Sequence, residues 1–183
     1  MGACITPMTI RHKYTGEWHT FPCGKCLQCL KRRASAWSFR LMQEEKRSDS
    51  GLFVTLTYDT RSVPITENGF MTLQKQDVQK FFKRLRKLLP GAKIKYYACG
   101  EYGGHTLRPH YHIILFNADA ASVASAWSLD GTPIGHIHYG LVTGASVGYT
   151  LKYMMKPAII PMHSRDDRVK EFSLMSKESA ATT

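Results

Sequence analysis

The sequence has no run of the roughly 20 apolar residues that a membrane-spanning helix needs, and its first residues lack the apolar core of a signal peptide. The expectation is a soluble intracellular protein with no membrane partner. Acidic residues are scarce, 14 Asp and Glu against 25 Lys and Arg, for a formal charge of +11. Self-repulsion of that size is tolerated where the partner is a polyanion, and nucleic acid is the leading candidate over an anionic membrane surface. No repeat of domain scale is present. An apolar content of 43%, with 11% aromatics, argues against a disordered chain, and 183 residues suffice for one domain with a core plus an appendage.

Cysteine is also sparse and odd in number, five in all, so a disulfide framework is not the expectation in a reducing compartment. Three of the five fall in Cys23-Gly24-Lys25-Cys26-Leu27-Gln28-Cys29, a spacing that suits thiolate coordination. Cys4 would complete a four-sulfur structural Zn2+ site with Cys23, Cys26 and Cys29, and His12 or His19 could substitute for it. The competing readings are an iron–sulfur cluster without an identified fourth ligand and three unligated thiols on the first turn of a helix.

Leu27, Leu30, Ala34, Trp37 and Leu41 recur in steps of three and four, which predicts an amphipathic helix running to about Lys46, with Lys31, Arg32, Arg33 and Arg40 on its other face. Ser48-Asp49-Ser50-Gly51 breaks the pattern, and residues 52–58 have the β-branched and aromatic content of a strand. A domain boundary is expected here. After a turn-rich connection, Val78, Phe81, Phe82, Leu85, Leu88 and Leu89 mark a second amphipathic helix ending at Pro90-Gly91. Residues 93–102 and 110–116 read as an antiparallel hairpin, 118–127 as a helix, 135–142 as a strand and 145–156 as a helix stopped by Pro157.

Helices segregated over one antiparallel sheet give an α+β fold of the ferredoxin-like or RNA-recognition-motif-like type, with a Cys-rich helical N-terminal segment. The expected division is 1–50 for that segment, 51–160 for the core, and 161–183 for a polar tail or the stump of a longer protein.

The chemistry concentrates in two places. His110 and His112 stand at i, i+2 in a predicted strand, so their side chains share a face. Glu101, on the partner strand of the hairpin, could supply a carboxylate to the same divalent ion. A His-x-His pair can equally be solvated or merely hydrogen-bonded, and a second pair, His136 and His138, shows the same pattern. The other place is the last helix, where Tyr149, Lys152, Tyr153 and Lys156 write Tyr-x-x-Lys twice without a gap. Tyrosines four apart lie one turn apart on one helix face. They could be core packing, with the lysines reaching into water. Beside a metal that polarises a phosphate, a phenolate could instead act as nucleophile. Tyr111, between the paired histidines, points to the opposite face and is read as packing.

His110-Tyr111-His112 followed by Ile113-Ile114-Leu115-Phe116, the strand at 52–58 before it, and Tyr149-x-x-Lys152-Tyr153 after it resemble the three ordered motifs of the HUH endonucleases. The paired tyrosines resemble those of two-tyrosine rolling-circle initiators, and Pro22-Cys23-Gly24-Lys25-Cys26 is similar to the Cys-rich segment of the replication initiators of Microviridae, the gokushovirus type in particular. The resemblance spans roughly residues 20 to 175. It implies the RNA-recognition-motif-like HUH fold and a metal-dependent endonuclease and strand transferase acting on single-stranded DNA at a replication origin, linear or folded as a hairpin. It further implies a 5′-phosphotyrosine intermediate formed by Tyr149 or Tyr153, with Lys152 and Lys156 in support, and Mg2+ or Mn2+ on Glu101, His110 and His112. The implied setting is the cytoplasm of an infected bacterial host, with the host replication machinery as partner. Lys31, Arg32, Arg33, Lys83, Arg84 and Lys87 are candidates for tracking the DNA backbone, or else ordinary solvated helix faces. The alternatives are a plasmid initiator, relaxase or transposase of the same chemistry, or a non-catalytic zinc-dependent module whose sheet offers Tyr96, Tyr97 and Tyr102 for base stacking.

Overall fold

The computed structural model describes residues 3–155 and 160–176. The chain begins with a two-stranded antiparallel ribbon, β1 (Met8–Arg11) and β2 (Trp18–Phe21), and continues into the 21-residue α1 (Leu27–Arg47). The helix forms where the three-and-four spacing predicts it: Ala34, Trp37 and Leu41 make its buried stripe, and Lys46 and Arg47 sit in the last turn, where cations suit the exposed carbonyls. Then follow β3 (Gly51–Thr57), α2 (Lys75–Leu88), β4 (Lys95–Tyr102), β5 (Pro109–Phe116), α3 (Ala120–Ala126), a short hairpin of β6 (Ser128–Leu129) and β7 (Thr132–Pro133), β8 (Ile137–Leu141), α4 (Gly144–Lys152) and β9 (Phe172–Met175).

Five strands make one sheet in the order β8-β3-β5-β4-β9, every neighbouring pair antiparallel. Leaving β9 aside, β3-α2-β4-β5-α3-β8 is the βαββαβ unit of the ferredoxin-like class. The α+β expectation and the order of its central elements are therefore met. Strand alternation divides the sheet into two faces. On one, Val54, Leu56, Ala98, Tyr111, Ile113 and Leu115 pack with Val78, Phe81, Phe82 and Leu85 of α2 and Val123 and Ala126 of α3. On the other, Tyr97, Ile114 and Phe116 pack with Ala34, Trp37 and Leu41 of α1 and Val147 and Leu151 of α4.

Five features depart from the sequence reading. The ribbon β1–β2 is absent from it. So is the β6–β7 hairpin, although Asp130-Gly131 with positive φ at both residues is a recognisable two-residue turn. Helix α4 stops at Lys152 rather than 156, and Tyr153 caps it in helical geometry. The expected tail from 161 is not merely a tail: β9 pairs with β4 at the sheet edge, the Tyr102 hydroxyl donates to the Val169 carbonyl at 2.7 Å, and Asp166 and Arg168 form a buried ion pair at 2.8 Å. A four-residue edge strand carries little periodicity, and its pairing spans more than 70 positions. The expected boundary at residue 50 likewise separates α1 from a sheet with which it shares one apolar cluster.

Candidate active site

The hairpin register sets Glu101 directly opposite His110, and Thr55 of β3 directly opposite His112. All four side chains therefore stand on the α1/α4 face. Glu101 and His112 are buried, at 6% and 5% exposure, and His110 is partly buried. The Glu101 Oε1 atom lies 2.7 Å from His110 Nε2 and 2.9 Å from His112 Nε2. Each imidazole has a separate partner at its other nitrogen: the Arg108 carbonyl is 3.1 Å from Nδ1 of His110, and Thr55 Oγ1 is 2.9 Å from Nδ1 of His112. Such partners orient a metal-ligating histidine and fix which nitrogen is free to bind.

The ligand atoms of Glu101, His110 and His112 all lie within 4.8 Å of one another. Two imidazole nitrogens and one carboxylate oxygen make a donor set suited to a divalent cation. Burial pushes the Glu101 carboxyl up, but hydrogen bonds from His110 and His112 outweigh it and hold the group below its ordinary value, ionised at neutral pH.

Helix α4 brings both tyrosines onto His112. Its start is fixed by a capping box, in which Thr143 accepts from the Ser146 N–H and Ser146 bonds back to the Thr143 N–H. Val147 and Leu151 then bury against the sheet, which turns Tyr149 and Tyr153 toward the histidines. The Tyr153 ring stacks on His112 at 5.7 Å between centroids and 11° between planes, and Tyr149 meets the same imidazole edge-on at 5.2 Å. The two phenol rings contact each other at 5.5 Å. The Lys152 ammonium sits 4.5 Å from the Tyr149 ring centre and 5.7 Å from that of Tyr153. Burial, the hydrogen bond that the neutral Tyr153 hydroxyl donates to Tyr149 and the charge of Glu101 push the Tyr153 phenol up, and Tyr149 is 41% exposed. Lys156 lies outside the described residues.

The second His-x-His pair is separated from this group by β3. His138 pairs with Thr55 across the sheet and faces the same side, yet both His136 and His138 are exposed and join no cluster of metal-ligating side chains among the described residues. Tyr111 is fully buried on the opposite face, its hydroxyl 2.8 Å from that of Tyr58 and accepting from the Gln74 N–H at 2.8 Å.

The four cysteines of the N-terminal segment also converge. Sγ atoms of Cys4, Cys23, Cys26 and Cys29 lie within 4.8 Å of one another, and neither His12 nor His19 belongs to the group. Backbone N–H groups of Cys26 and Lys25 donate to Cys23 Sγ at 3.3 and 3.5 Å. With a hydrogen bond from Thr6 they lower the Cys23 thiol to about 5. At Cys29 the Gly24 N–H favours the thiolate, but burial and the crowding of Cys26, Cys4 and Cys23 push it up to about 12. Four sulfurs this close cannot all ionise without a cation among them. A four-thiolate donor set suits Zn2+.

The basic candidates divide. Lys31, Arg32 and Arg33 are exposed on α1, in the layer that carries the site. Lys83 and Lys87 are exposed on α2, on the other side of the sheet. Arg84 leaves the set, because its Nε donates to the Ala126 carbonyl at 2.6 Å and ties α2 to the end of α3, with desolvation lowering its pKa. The stacking tyrosines of the non-catalytic alternative are also committed. Tyr97 is buried against Trp37, Tyr102 is buried with its hydroxyl on Val169, and the Tyr96 ring lies flat on Phe82 at 3.5 Å.

A family model for the replication-associated protein ORF2/G2P matches residues 51–158, from the start of β3 to beyond α4. The chain belongs to that family. It is 32% identical over 156 residues to the replication-associated protein VP4 of Bdellovibrio phage phiMH2K, covering 74% of this chain and 48% of the relative. It is 29% identical over 178 residues to the replication-associated protein ORF2 of Spiroplasma virus 4, covering 85% and 54% respectively. It is also similar to the replication-associated protein ORF4 of Chlamydia phage 1, at 33% over 98 residues, 52% of this chain and 23% of that one. The chain thus spans about half the length of the first two relatives. No solved structure matches it significantly. The matched segment contains Glu101, His110, His112, Tyr149 and Tyr153 together, and membership agrees with the phage-initiator resemblance read from the motifs. Among the described residues no helix is long and apolar enough to cross a membrane.

Proposed function

We propose that this chain nicks single-stranded DNA at a phage replication origin to start rolling-circle replication, through a tyrosine ester. The observation that carries the reading is the contact of both Tyr149 and Tyr153 with His112, one of three side chains whose ligand atoms converge. Glu101, His110 and His112 would hold Mg2+ or Mn2+, which when bound withdraws charge from the scissile phosphate.

In the reaction a phenolic oxygen attacks phosphorus in line. The Tyr Oη–P bond forms and the P–O3′ bond breaks. The phenolic proton passes to solvent, and the departing O3′ takes one up as a 3′ hydroxyl available for extension by the host replication machinery. The 5′ end stays on the protein as a phosphotyrosine. Lys152, within reach of both rings, favours the phenolate and the phosphate charge. The second tyrosine would cleave the regenerated origin after one round. Exposed Lys31, Arg32 and Arg33 would track the backbone, so binding should weaken as salt rises.

The commitment of Tyr96, Tyr97 and Tyr102 to the fold disfavours the binding-only module with a stacking sheet. Incubation with a single-stranded origin oligonucleotide and Mn2+ should give an adduct that survives denaturation. Full adduct yield from a Tyr149→Phe, Tyr153→Phe double variant would sink the proposal. For the cysteines we propose structural Zn2+. Purified protein should carry one zinc per chain at this site, lost when Cys26 and Cys29 are changed to serine, and iron found there instead would overturn the assignment.

A further inference from the structure

The N-terminal ribbon is a two-stranded sheet of its own and differs from the strand pairs of the five-stranded sheet. All eight of its strand residues are exposed, and several are large and apolar or aromatic, Trp18 at 68% and Phe21 at 48% among them. Cross-strand register sorts them. Met8 faces Phe21 and Ile10 faces His19 on one side of the ribbon, while Thr9 faces Thr20 and Arg11 faces Trp18 on the other. On the first side a file of rings runs up the ribbon and over its turn. Phe21 to His19 is 6.3 Å, His19 to His12 is 6.0 Å, and His12 to Tyr14 is 6.1 Å between centroids. Tyr14, at the end, is 86% exposed.

The ribbon is not a loose arm. Cys4 precedes β1 and Cys23 follows β2, and the Cys23 N–H donates to Cys4 Sγ at 3.3 Å, so both of its ends are fastened at the four-cysteine cluster where α1 begins. Its charge is positive: residues 3–26 contain Arg11, Lys13 and Lys25 against Glu17 alone. The Lys13 ammonium lies 5.8 Å from the Tyr14 ring centre. Immediately beyond the cluster come the exposed Lys31, Arg32 and Arg33.

We propose that this ring file is a binding surface for single-stranded DNA, on which bases stack against whichever ring faces lie open among Phe21, His19, His12 and Tyr14, whose planes are tilted 45°, 81° and 61° from one ring to the next, while the backbone runs toward the basic start of α1. Aromatic faces accept any base, and flanking cations hold the phosphates, which together give binding tolerant of sequence. The evenly spaced rings, the positive balance and the continuity with α1 favour nucleic acid over a protein partner, whose docking would not need cations at this edge. The inference rests on the reading of the chain as acting on single-stranded DNA.

The test uses the full chain with Tyr149→Phe and Tyr153→Phe, so that binding is read without cleavage, and a fluorescein-labelled oligo-dT as probe. Adding Tyr14→Ala, His19→Ala and Phe21→Ala should raise Kd by about tenfold or more, the scale of lost base stacks. Thr9→Ala with Thr20→Ala, on the other side of the same ribbon, should change it less than about twofold. His12 is left in place because its Nδ1 accepts from the Thr15 N–H at 3.1 Å and shapes the turn. Should the triple variant lose its zinc or its fold, Tyr14→Leu alone, at a fully solvated tip, is the substitute, with an expected rise of about fivefold from a lost stack.

An unchanged Kd in folded protein overturns the proposal. So does an unchanged Kd with an altered oligomeric state, which would make the face a protein contact. The nicking reading is judged separately: with Tyr149 and Tyr153 intact, the ring-file variant should still form the covalent adduct at saturating protein. Absence of the adduct from the wild-type chain itself would fail that reading and leave the Kd comparison standing.

Discussion

The two faces of β4 and β5 are made by alternate residues of the two eight-residue strands of one hairpin, and they do opposite work. The face toward α2 and α3 is sealed: Ala98, Tyr111, Ile113 and Leu115 are at most 1% exposed, and the one polar group among them, the Tyr111 hydroxyl, is satisfied by Tyr58 and Gln74. The face toward α1 and α4 is apolar only at one end, where Tyr97, Ile114 and Phe116 meet Trp37 and Leu41. At its other end Glu101, His110 and His112 stand under two tyrosines. One strand pair can therefore anchor a core and present a cluster of charged donors, because a pleat sends neighbours to opposite sides. Gly100 shows how tight the sealed side is: a Cβ there would lie 3.0 Å from Leu73 and 3.1 Å from Tyr111.

Substitutions at adjacent positions can break this comparison. His112→Ala should have the largest effect, lowering adduct formation per folded molecule by about a thousandfold through loss of an electrostatic contribution of several kcal/mol. Ile113→Ala, one residue on and on the sealed face, should do the reverse. Denaturant titration should show a loss of about 2–5 kcal/mol, while adduct yield per folded molecule stays constant. If Ile113→Ala abolished the adduct in folded protein, the two faces would not be separable in function.

Smaller effects sharpen the division. Thr55→Val keeps the side-chain volume but removes the oxygen at His112 Nδ1, so divalent-metal affinity measured by calorimetry should fall by about 10- to 100-fold. Tyr111→Phe should cost about 1–3 kcal/mol, because the Gln74 N–H loses its acceptor. Adduct formation should persist, marking the tyrosine within His110-Tyr111-His112 as packing.

The smallest effect concerns the segment that brings β9 to the sheet. Hydrogen bonds from Arg168, opposed by burial and helped by the Met162 and Arg168 N–H groups, hold the Asp166 carboxyl below its ordinary value. A group whose folded pKa is depressed binds fewer protons native than unfolded, so its stabilisation is present above the ordinary aspartate pKa of about 4 and is lost as pH falls through the folded value. Hydrogen exchange of β9 should quicken below about pH 4 in the wild type, relative to the core. Asp166→Asn should show that faster exchange already at neutral pH.

Much of this contrast was legible in residue order. Alternation in 110–116 put the histidines on one face and Tyr111 on the other, and the three-and-four spacing of Leu30, Ala34, Trp37 and Leu41 located α1 to within a residue or so. What periodicity does not encode went unread. The ribbon has no buried face to create a hydrophobic pattern, so Trp18 and Phe21 looked like no strand. Strand β9 is specified by an edge offered by β4 and by the docking of Asp166 and Val169, not by its own four residues. Arg84 looked like Lys83 and Lys87 in sequence; its solvent was removed by α3, a neighbour some forty positions away.

The sequence by itself determined the class of fold, the alternation that gathers Glu101, His110 and His112, and the one-turn spacing of Tyr149 and Tyr153, because each is a matter of local period. Only the tertiary structure decided that α4 lies across His112 rather than elsewhere, that Cys4 and not His12 or His19 closes the cysteine cluster, and that His136 and His138 join no cluster of metal-ligating side chains among the described residues. Those outcomes depend on which surfaces pack together in three dimensions, and packing between distant segments follows from the whole core, not from any one stretch of residues.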